Sequence, residues 1–404
     1  VKKVKSNELE IGMYVAELDR PWLESPFTFQ GFTISSQEEL AQLRKLCKYV
    51  YIDEEKQQER ADRSRGKAQA GAVETSGTTI RGEPHPHKVE DEIVVARKVR
   101  QHAQQRFNQM LKAARLGKGL DVKVANNIVG DMVESLLRNP DALMLLRNIS
   151  LYDTEAESHA INTCILALTF GRCLGLSDND LEELGLAAML HDIGETKLPL
   201  ELLQQGPRST EETRLLNRHT ELGAQLLRDT ATLPERVIDV ALSHHEQVNG
   251  EGYPQGLQGE EIGLFARIVA IVNVYDHITL GSTGPSLPPA EALRYLYLYR
   301  DKFFDAELTE KFIQCLGVYP VGSLVELATG EVAIVISIPP EAHLYPRLLL
   351  VRDHHKKPYL PPHIMSLAHF ATSENAEKYA IIRVLPLDAY GVDIKSYLQQ
   401  QGGL

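Results

Sequence analysis

Residues 244–256 read His244-His245-Glu246-Gln247-Val248-Asn249-Gly250-Glu251-Gly252-Tyr253-Pro254-Gln255-Gly256. Two adjacent histidines and a glutamate end an apolar helical run, and a glycine-rich loop follows at once. Imidazole and carboxylate together suit Fe, Mn or Zn. Glycines let a backbone come close to a ligand, and Tyr253 sets a ring and a hydroxyl beside the donors. A Gly-Tyr-Pro triplet alone is an ordinary turn. Shortly after His-His-Glu it marks a site.

The same chemistry recurs upstream. Glu155 and His159 are four apart, which puts them on one helix face. His191-Asp192 closes the apolar run that ends in Met189-Leu190, and His219 sits on the next amphipathic segment. A lone helical histidine is usually a core or surface residue. Here His, His-Asp and His-His-Glu recur at helix ends of a single segment, which points to a metal site.

That segment, residues 150–318, reads as nearly all helix. Ser177-Asp178-Asn179-Asp180 supplies N-cap chemistry before an apolar run over 181–190. Apolar residues recur at three and four over 210–228, 234–245, 263–280 and 289–301. Residues 88–149 add connecting helices, about 89–116 and 122–137, the second stopped at Asn139-Pro140. Such a pair serves either as a partner surface, including a homodimer, or as packing for the following domain.

Residues 1–54 read as a small α+β domain, with strands over 13–18, 27–34 and 49–52 and a helix over 36–46. Residues 55–87 are polar, nearly free of large apolar side chains, and read as a flexible linker. After Tyr319-Pro320 the pattern turns β-rich over 323–328, 331–338 and 347–351, giving a C-terminal extension over 319–404 whose last residues are a loose tail. His354-His355, His363 and His369 lie there and read as solvated loop histidines. The fold expected is mainly α: a helical bundle with a small N-terminal α+β domain and a short C-terminal β element.

Composition narrows the function classes. The chain has 404 residues, 43% hydrophobic and 24% charged, with a net charge of −12. A negative surface disfavours broad binding to DNA, RNA or anionic membranes. No run approaches the ~20 apolar residues of a membrane span, and the start, Val1-Lys2-Lys3-Val4-Lys5, lacks the apolar region of a signal peptide. Cys47, Cys164, Cys173 and Cys315 contain no C-x-x-C pair; Cys164 and Cys173 read as buried small apolar residues, and scattered cysteines fit a reducing compartment. The expected location is cytoplasmic.

On His159, His191-Asp192-Ile193-Gly194, His219, His244-His245-Glu246 and Gly252-Tyr253-Pro254, residues 150–318 resemble the HD-GYP subgroup of the HD superfamily of metal-dependent phosphohydrolases. The N-terminal segment resembles a small domain of unknown role that often precedes HD-GYP domains. The resemblance implies an HD-type helical bundle that hydrolyses cyclic di-GMP to pGpG or GMP with two or three divalent metals, Fe or Mn. It implies metal ligands at His191, Asp192 (bridging), His219, His244 and His245, with His159 at the position of the family's first histidine and Glu155 as the carboxylate that supports a third metal. It places Gly252, Tyr253 and Pro254 at the dinucleotide pocket.

Three positions depart from the family pattern. Glu195 stands where the family has lysine, reversing a charge beside the phosphate; Lys197 lies two residues on. Asn273 stands at an aspartate ligand position of an Asp-x-x-Asp pair, and Asp276 is retained one turn away as a catalytic or partly substituting carboxylate. Residues 281–289 hold no basic residue where the family usually has arginine, the nearest being Arg294. Three readings follow: an active cyclic di-GMP phosphodiesterase of reduced rate, a catalytically degenerate signalling module binding metal, nucleotide or protein partners, or a different HD-type phosphohydrolase acting on another nucleotide.

Overall fold

The computed structural model describes residues 2–19, 32–34, 37–53, 87–150, 159–204, 206–230, 233–281, 286–339, 345–370, 377–386 and 389–393. The chain divides into two compact units, Val1–Arg81 and Gly82–Leu404.

In the N-terminal unit an antiparallel sheet has the order β1-β4-β2-β3, with β1 Lys2–Lys5, β2 Tyr14–Leu18, β3 Phe32–Thr33 and β4 Tyr49–Ile52. Strand alternation sends Val50 and Ile52 inward, where Leu40 and Leu43 of helix α1 (Gln37–Leu46) are also buried. The expected strands over 13–18 and 49–52 and the helix over 36–46 are present. Residues 27–31 of the other expected strand and 55–86 of the expected linker lie outside the described residues.

The larger unit opens with α2 (Val89–Arg115) and α3 (Val122–Arg138). Asn139 is extended, its Oδ1 accepts from the Asp141 N–H at 2.9 Å, and Pro140 begins α4 (Pro140–Ser150). Proline at a first helical turn forfeits no intrahelical bond, so Asn139-Pro140 divides two helices rather than ending helical structure. Helix α5 (His159–Cys173) is buried continuously from Ile161 to Gly171. A helix buried on every side belongs at the centre, and α6 (Asp178–Leu190) and α11 (Leu264–Leu280) pack against it. The Ser177 side chain caps α6, as its sequence predicts.

Between α6 and α11 come α7 (Leu200–Gln204), α8 (Thr210–Asn217), α9 (His219–Arg228) and α10 (Glu235–Ser243). The single helix expected over 210–228 is therefore two, divided at Arg218, whose N–H turns back tightly to Leu215. Helices α12 (Pro289–Leu298) and α13 (Ala306–Leu316) follow. Cys173 does not behave as a lone apolar residue: it is bonded to Cys315 of α13, with Cα atoms 6.0 Å apart. Two positions 142 residues apart meet only through tertiary packing. Cys47 and Cys164 are buried and, among the described residues, form no disulfide.

The C-terminal element is larger than expected. Its five antiparallel strands have the order β8-β7-β6-β5-β9: β5 Leu324–Leu327, β6 Val332–Ser337, β7 Arg347–Arg352, β8 Pro358–Ser366 and β9 Ile381–Leu385. Every residue of β5 and β6 is buried, and all but Glu326 and Ser337 are apolar, so neither strand shows an alternation of apolar and polar positions. β8 carries three prolines and sits at an edge, where lost N–H donors are tolerated. Among the described residues no helix is long and apolar enough to cross a membrane.

Candidate metal centre

Helix ends position the donors. His191 caps the C-terminus of α6, and Asp192 leads into a 3-10 turn over Ile193–Lys197. That turn lies directly on α9: a Cβ at Gly194 would sit 1.9 Å from the His219 carbonyl oxygen and 2.5 Å from the Gly223 nitrogen. Only glycine allows this approach, which brings Asp192 beside His219. His244 and His245 follow the end of α10. Asn273, Asp276 and His277 come from α11, and His159 from α5.

Asp192 is the hub. Its Oδ1 lies 3.3 Å from His219 Nε2 and 3.2 Å from His244 Nε2; its Oδ2 lies 3.0 Å from His191 Nε2 and 3.9 Å from His159 Nε2. Each oxygen thus faces a different set of imidazoles. Asp192, His219, His244 and His245 bring one donor each within 4.8 Å of one another, and so do His159, His191 and Asp192.

Hydrogen bonds on the far ring nitrogens set the tautomers. Nδ1–H of His191 donates to Ala188 O at 2.7 Å, that of His219 to Leu216 O at 2.8 Å, and that of His244 to Val240 O at 3.0 Å. The Nε2 atoms of the neutral rings then carry lone pairs. His219 Nε2 and His244 Nε2 face each other at 3.3 Å, and buried His191 Nε2 makes no hydrogen bond. Lone pairs converging on a carboxylate suit a cation, and backbone acceptors on the second nitrogen are the usual support of metal-binding histidines. The residues present fit a divalent metal.

Electrostatics agree. Burial alone would raise the Asp192 carboxyl, but His191, His219 and His244 hold it well below the usual carboxylate range. Burial pushes His244 down to about 4, and burial with the neighbouring His244 pushes His245 well down, so both are neutral near pH 7. Burial opposes protonation of His159 and His219 too, but Asp276 and Asp192 respectively outweigh it and raise them. Burial, then Asp192, pushes Glu195 up to about 7.

The remaining expected residues divide. Asn273 Oδ1 lies 2.9 Å from His159 Nε2, within the cluster. Asp276 does not offer a free carboxylate: Oδ1 accepts from buried Arg147, and Oδ2 pairs with His159 Nδ1 at 2.7 Å. It orients His159 rather than replacing Asn273 as a donor. Lys197 is exposed at the end of its turn. Tyr253 stacks on His245, centroids 4.7 Å apart, so Gly252-Tyr253-Pro254 stands against the donors. A Cβ at Gly252 would meet Gln247 N at 2.4 Å, so the loop folds tightly back on the helix end. Glu155 and residues 282–285 lie outside the described residues, and Arg294 is exposed.

Sequence reasoning read Glu246 as part of the donor motif rather than as a support of the loop, and it missed Arg147 and His277. Buried Glu246 binds the loop by accepting from the N–H groups of Gln255, Gly256 and Leu257 at 2.6, 3.2 and 3.1 Å; its adjacency to a glycine-rich stretch was the available signal. Arg147 had none, being 129 residues from Asp276. His277 stacks on His159 with centroids 4.1 Å apart.

Comparison with known proteins places this architecture. A family model described as HD domain matches residues 136–308, and one described as a domain of unknown function, DUF3391, matches residues 1–125. The chain is 33% identical over 375 residues to the cyclic di-GMP phosphodiesterase PA4108 of Pseudomonas aeruginosa, covering 91% of this chain and 89% of that protein. It is 38% identical over 149 residues to the cyclic di-GMP phosphodiesterase response regulator RpfG of Xanthomonas campestris, covering 35% of this chain and 38% of RpfG. A cyclic di-GMP phosphodiesterase of Thermotoga maritima is 30% identical over 178 residues, 43% of this chain and 48% of that one. With its histidine–aspartate cluster beside a Gly-Tyr-Pro loop, the chain belongs to the HD-GYP family of HD-domain proteins.

Proposed function

We propose that the chain is a metal-dependent phosphodiesterase of cyclic di-GMP, acting in the cytoplasm, with pGpG or GMP as product and a rate lowered by Glu195 and Asn273. One observation carries the metal reading: the Nε2 atoms of His191, His219 and His244 converge within 3.3 Å on the two oxygens of Asp192. The substrate class is supported by the relative that matches nearly the whole chain.

In this reading His219, His244 and His245 would hold metal on one side of the centre and His191 and His159 on the other, with Asp192 serving both sides. Asn273 contributes a neutral oxygen, and Glu155 would support a third ion. Fe or Mn suits such a mixed imidazole and carboxylate set. Bound metals would supply Lewis acidity and a water acidified towards neutrality. The protein's own part is positional. Backbone carbonyls keep the Nε2 atoms bare, Gly194 lets Asp192 approach His219, and Glu246 holds the loop that carries Tyr253. The Tyr253 and His245 rings offer an aromatic wall for a nucleobase.

A second reading, a signalling module with a degenerate site, is favoured by the buried Glu195 carboxyl. Ionised, it repels a phosphodiester at the place where a cation would hold it. The test is turnover of cyclic di-GMP by the full chain loaded anaerobically with Fe(II) or Mn(II), with products resolved by chromatography. Metal-dependent release of pGpG or GMP is expected. A folded, metal-loaded sample that binds the dinucleotide without cleaving it establishes the second reading instead.

A further inference from the structure

We propose that Arg147 is a positioning residue for the His159 side of the centre, and that Asn148 ties it to the C-terminal sheet. The inference rests on the metal-binding reading of the site. Arg147 is completely buried in α4, an expensive place for a guanidinium unless every donor is used. Its Nε and Nη2 both donate to Asp276 Oδ1, at 3.0 and 2.6 Å, and Nη2 also reaches the Thr279 hydroxyl. Thr279 donates to Tyr275 O at 2.7 Å, which fixes that acceptor on α11. Held this way, Asp276 has one oxygen left, and Oδ2 takes His159 Nδ1 at 2.7 Å. His159 is thereby set with Nε2 towards Asn273 and Asp192. A carboxylate behind a metal-facing imidazole orients the ring and raises its basicity; here Arg147 keeps that carboxylate charged and turned.

The chain of contacts continues outward. Arg147 Nη1 donates to Asn148 Oδ1 at 2.6 Å, and Asn148 Nδ2 donates to the Val321 carbonyl, just before β5. A Cβ on the next residue, Gly322, would sit 2.6 Å from Asn148 Cβ, so sheet and helix touch there without spare room. At the other end of α4, Asp141 accepts from the Ser337 hydroxyl of β6 at 2.7 Å. Helix α4 is therefore clamped to the sheet at both ends, with Arg147 facing the metal centre between the clamps. The β element does more than cover helices: it sets the placement of the strut that orients His159.

The full chain, stripped of metal and titrated with Mn(II), tests this. Arg147→Met should weaken the ion that depends on His159 by ~10–100-fold and leave the ion held by His219, His244 and His245 unchanged. Arg147→Lys should restore part of the loss, and Asn148→Ala should fall between. In a His159→Ala background none of these changes should alter Mn(II) binding further, because a residue acting through His159 has nothing left to act on. Wild-type affinity in Arg147→Met and Asn148→Ala, or equal weakening with and without His159, would overturn the proposal by showing a merely structural ion pair. If circular dichroism shows Arg147→Met unfolded, Asn148→Ala decides by the same criteria. An unaltered chain that takes up no Mn(II) would instead overturn the metal reading beneath it.

Discussion

Replacing Glu195 by glutamine should stabilise the metal-free protein, and more so as pH rises. The Glu195 carboxyl ordinarily titrates at 4.5 and is pushed up to about 7 in the fold, first by burial and then by Asp192. The unfolded chain gives up this proton at lower pH than the native one. Between these values the native state holds more protons, so stability falls as pH rises through the window and stays lowered above it. Two and a half units at 1.36 kcal/mol each bound the penalty. Linkage puts it at about 1 kcal/mol at pH 5 and about 3 kcal/mol at pH 8. Glutamine keeps the shape and removes the charge, so Glu195→Gln should gain nearly these amounts. Urea unfolding of metal-stripped protein, followed by circular dichroism at both pH values, gives the comparison. Loading with Mn(II) should shrink the gain, because cations beside Asp192 favour the ionised carboxylate. Equal urea midpoints for the two proteins at pH 8, without metal, would refute the reasoning.

Other substitutions probe the scaffold and the donor set. Gly194→Ala forces a methyl into the His219 carbonyl and should cost about 3 kcal/mol or more, read as a lowered Tm together with lost metal uptake. Glu246→Gln removes the charge that gathers three loop N–H groups; at about 2 kcal/mol for such a contact, cleavage by added protease between 247 and 258 should rise at least ~10-fold. Asn273→Asp restores a charged donor beside His159 and should tighten Mn(II) binding ~10-fold or more. Combined with Glu195→Lys, it should also raise cyclic di-GMP turnover; a double variant no faster than the parent would show that these two positions do not limit the rate.

The donor cluster was legible because its members sit at helix ends and in short motifs. His191-Asp192 and His244-His245 are local pairs, and the fold has only to bring two such ends together. What the sequence hid depends on distance. Arg147 lies in Leu143-Met144-Leu145-Leu146-Arg147-Asn148, which reads as an ordinary amphipathic turn, and its partner Asp276 is far along the chain. Asp276 looked like a spare carboxylate for the same reason: nothing local shows that a buried guanidinium already occupies it. The Cys173–Cys315 bond is likewise a product of helix packing. β8 escaped notice because Pro358, Pro361 and Pro362 read as turn residues, a pattern that only an edge position accommodates. The division at Arg218 breaks no apolar spacing, so periodicity alone ran α8 and α9 together.

The backbone acceptors of the site histidines have an electrical consequence. Ala188, Leu216 and Val240 lie in the last turns of α6, α8 and α10, where carbonyl oxygens have lone pairs to spare; that of Val240 takes the His244 N–H as well as the ring. Each imidazole therefore finishes a helix as well as facing the centre. Peptide dipoles leave about half a negative charge at such an end, worth ~0.3–1 kcal/mol apiece to a nearby cation. The start of α9 at His219 cancels the α8 end, and the start of α5 at His159 offsets a further share, so the main chain's pull on a cation rests on the ends of α6 and α10. Where Asn273 withholds a formal charge, the main chain supplies part of the attraction.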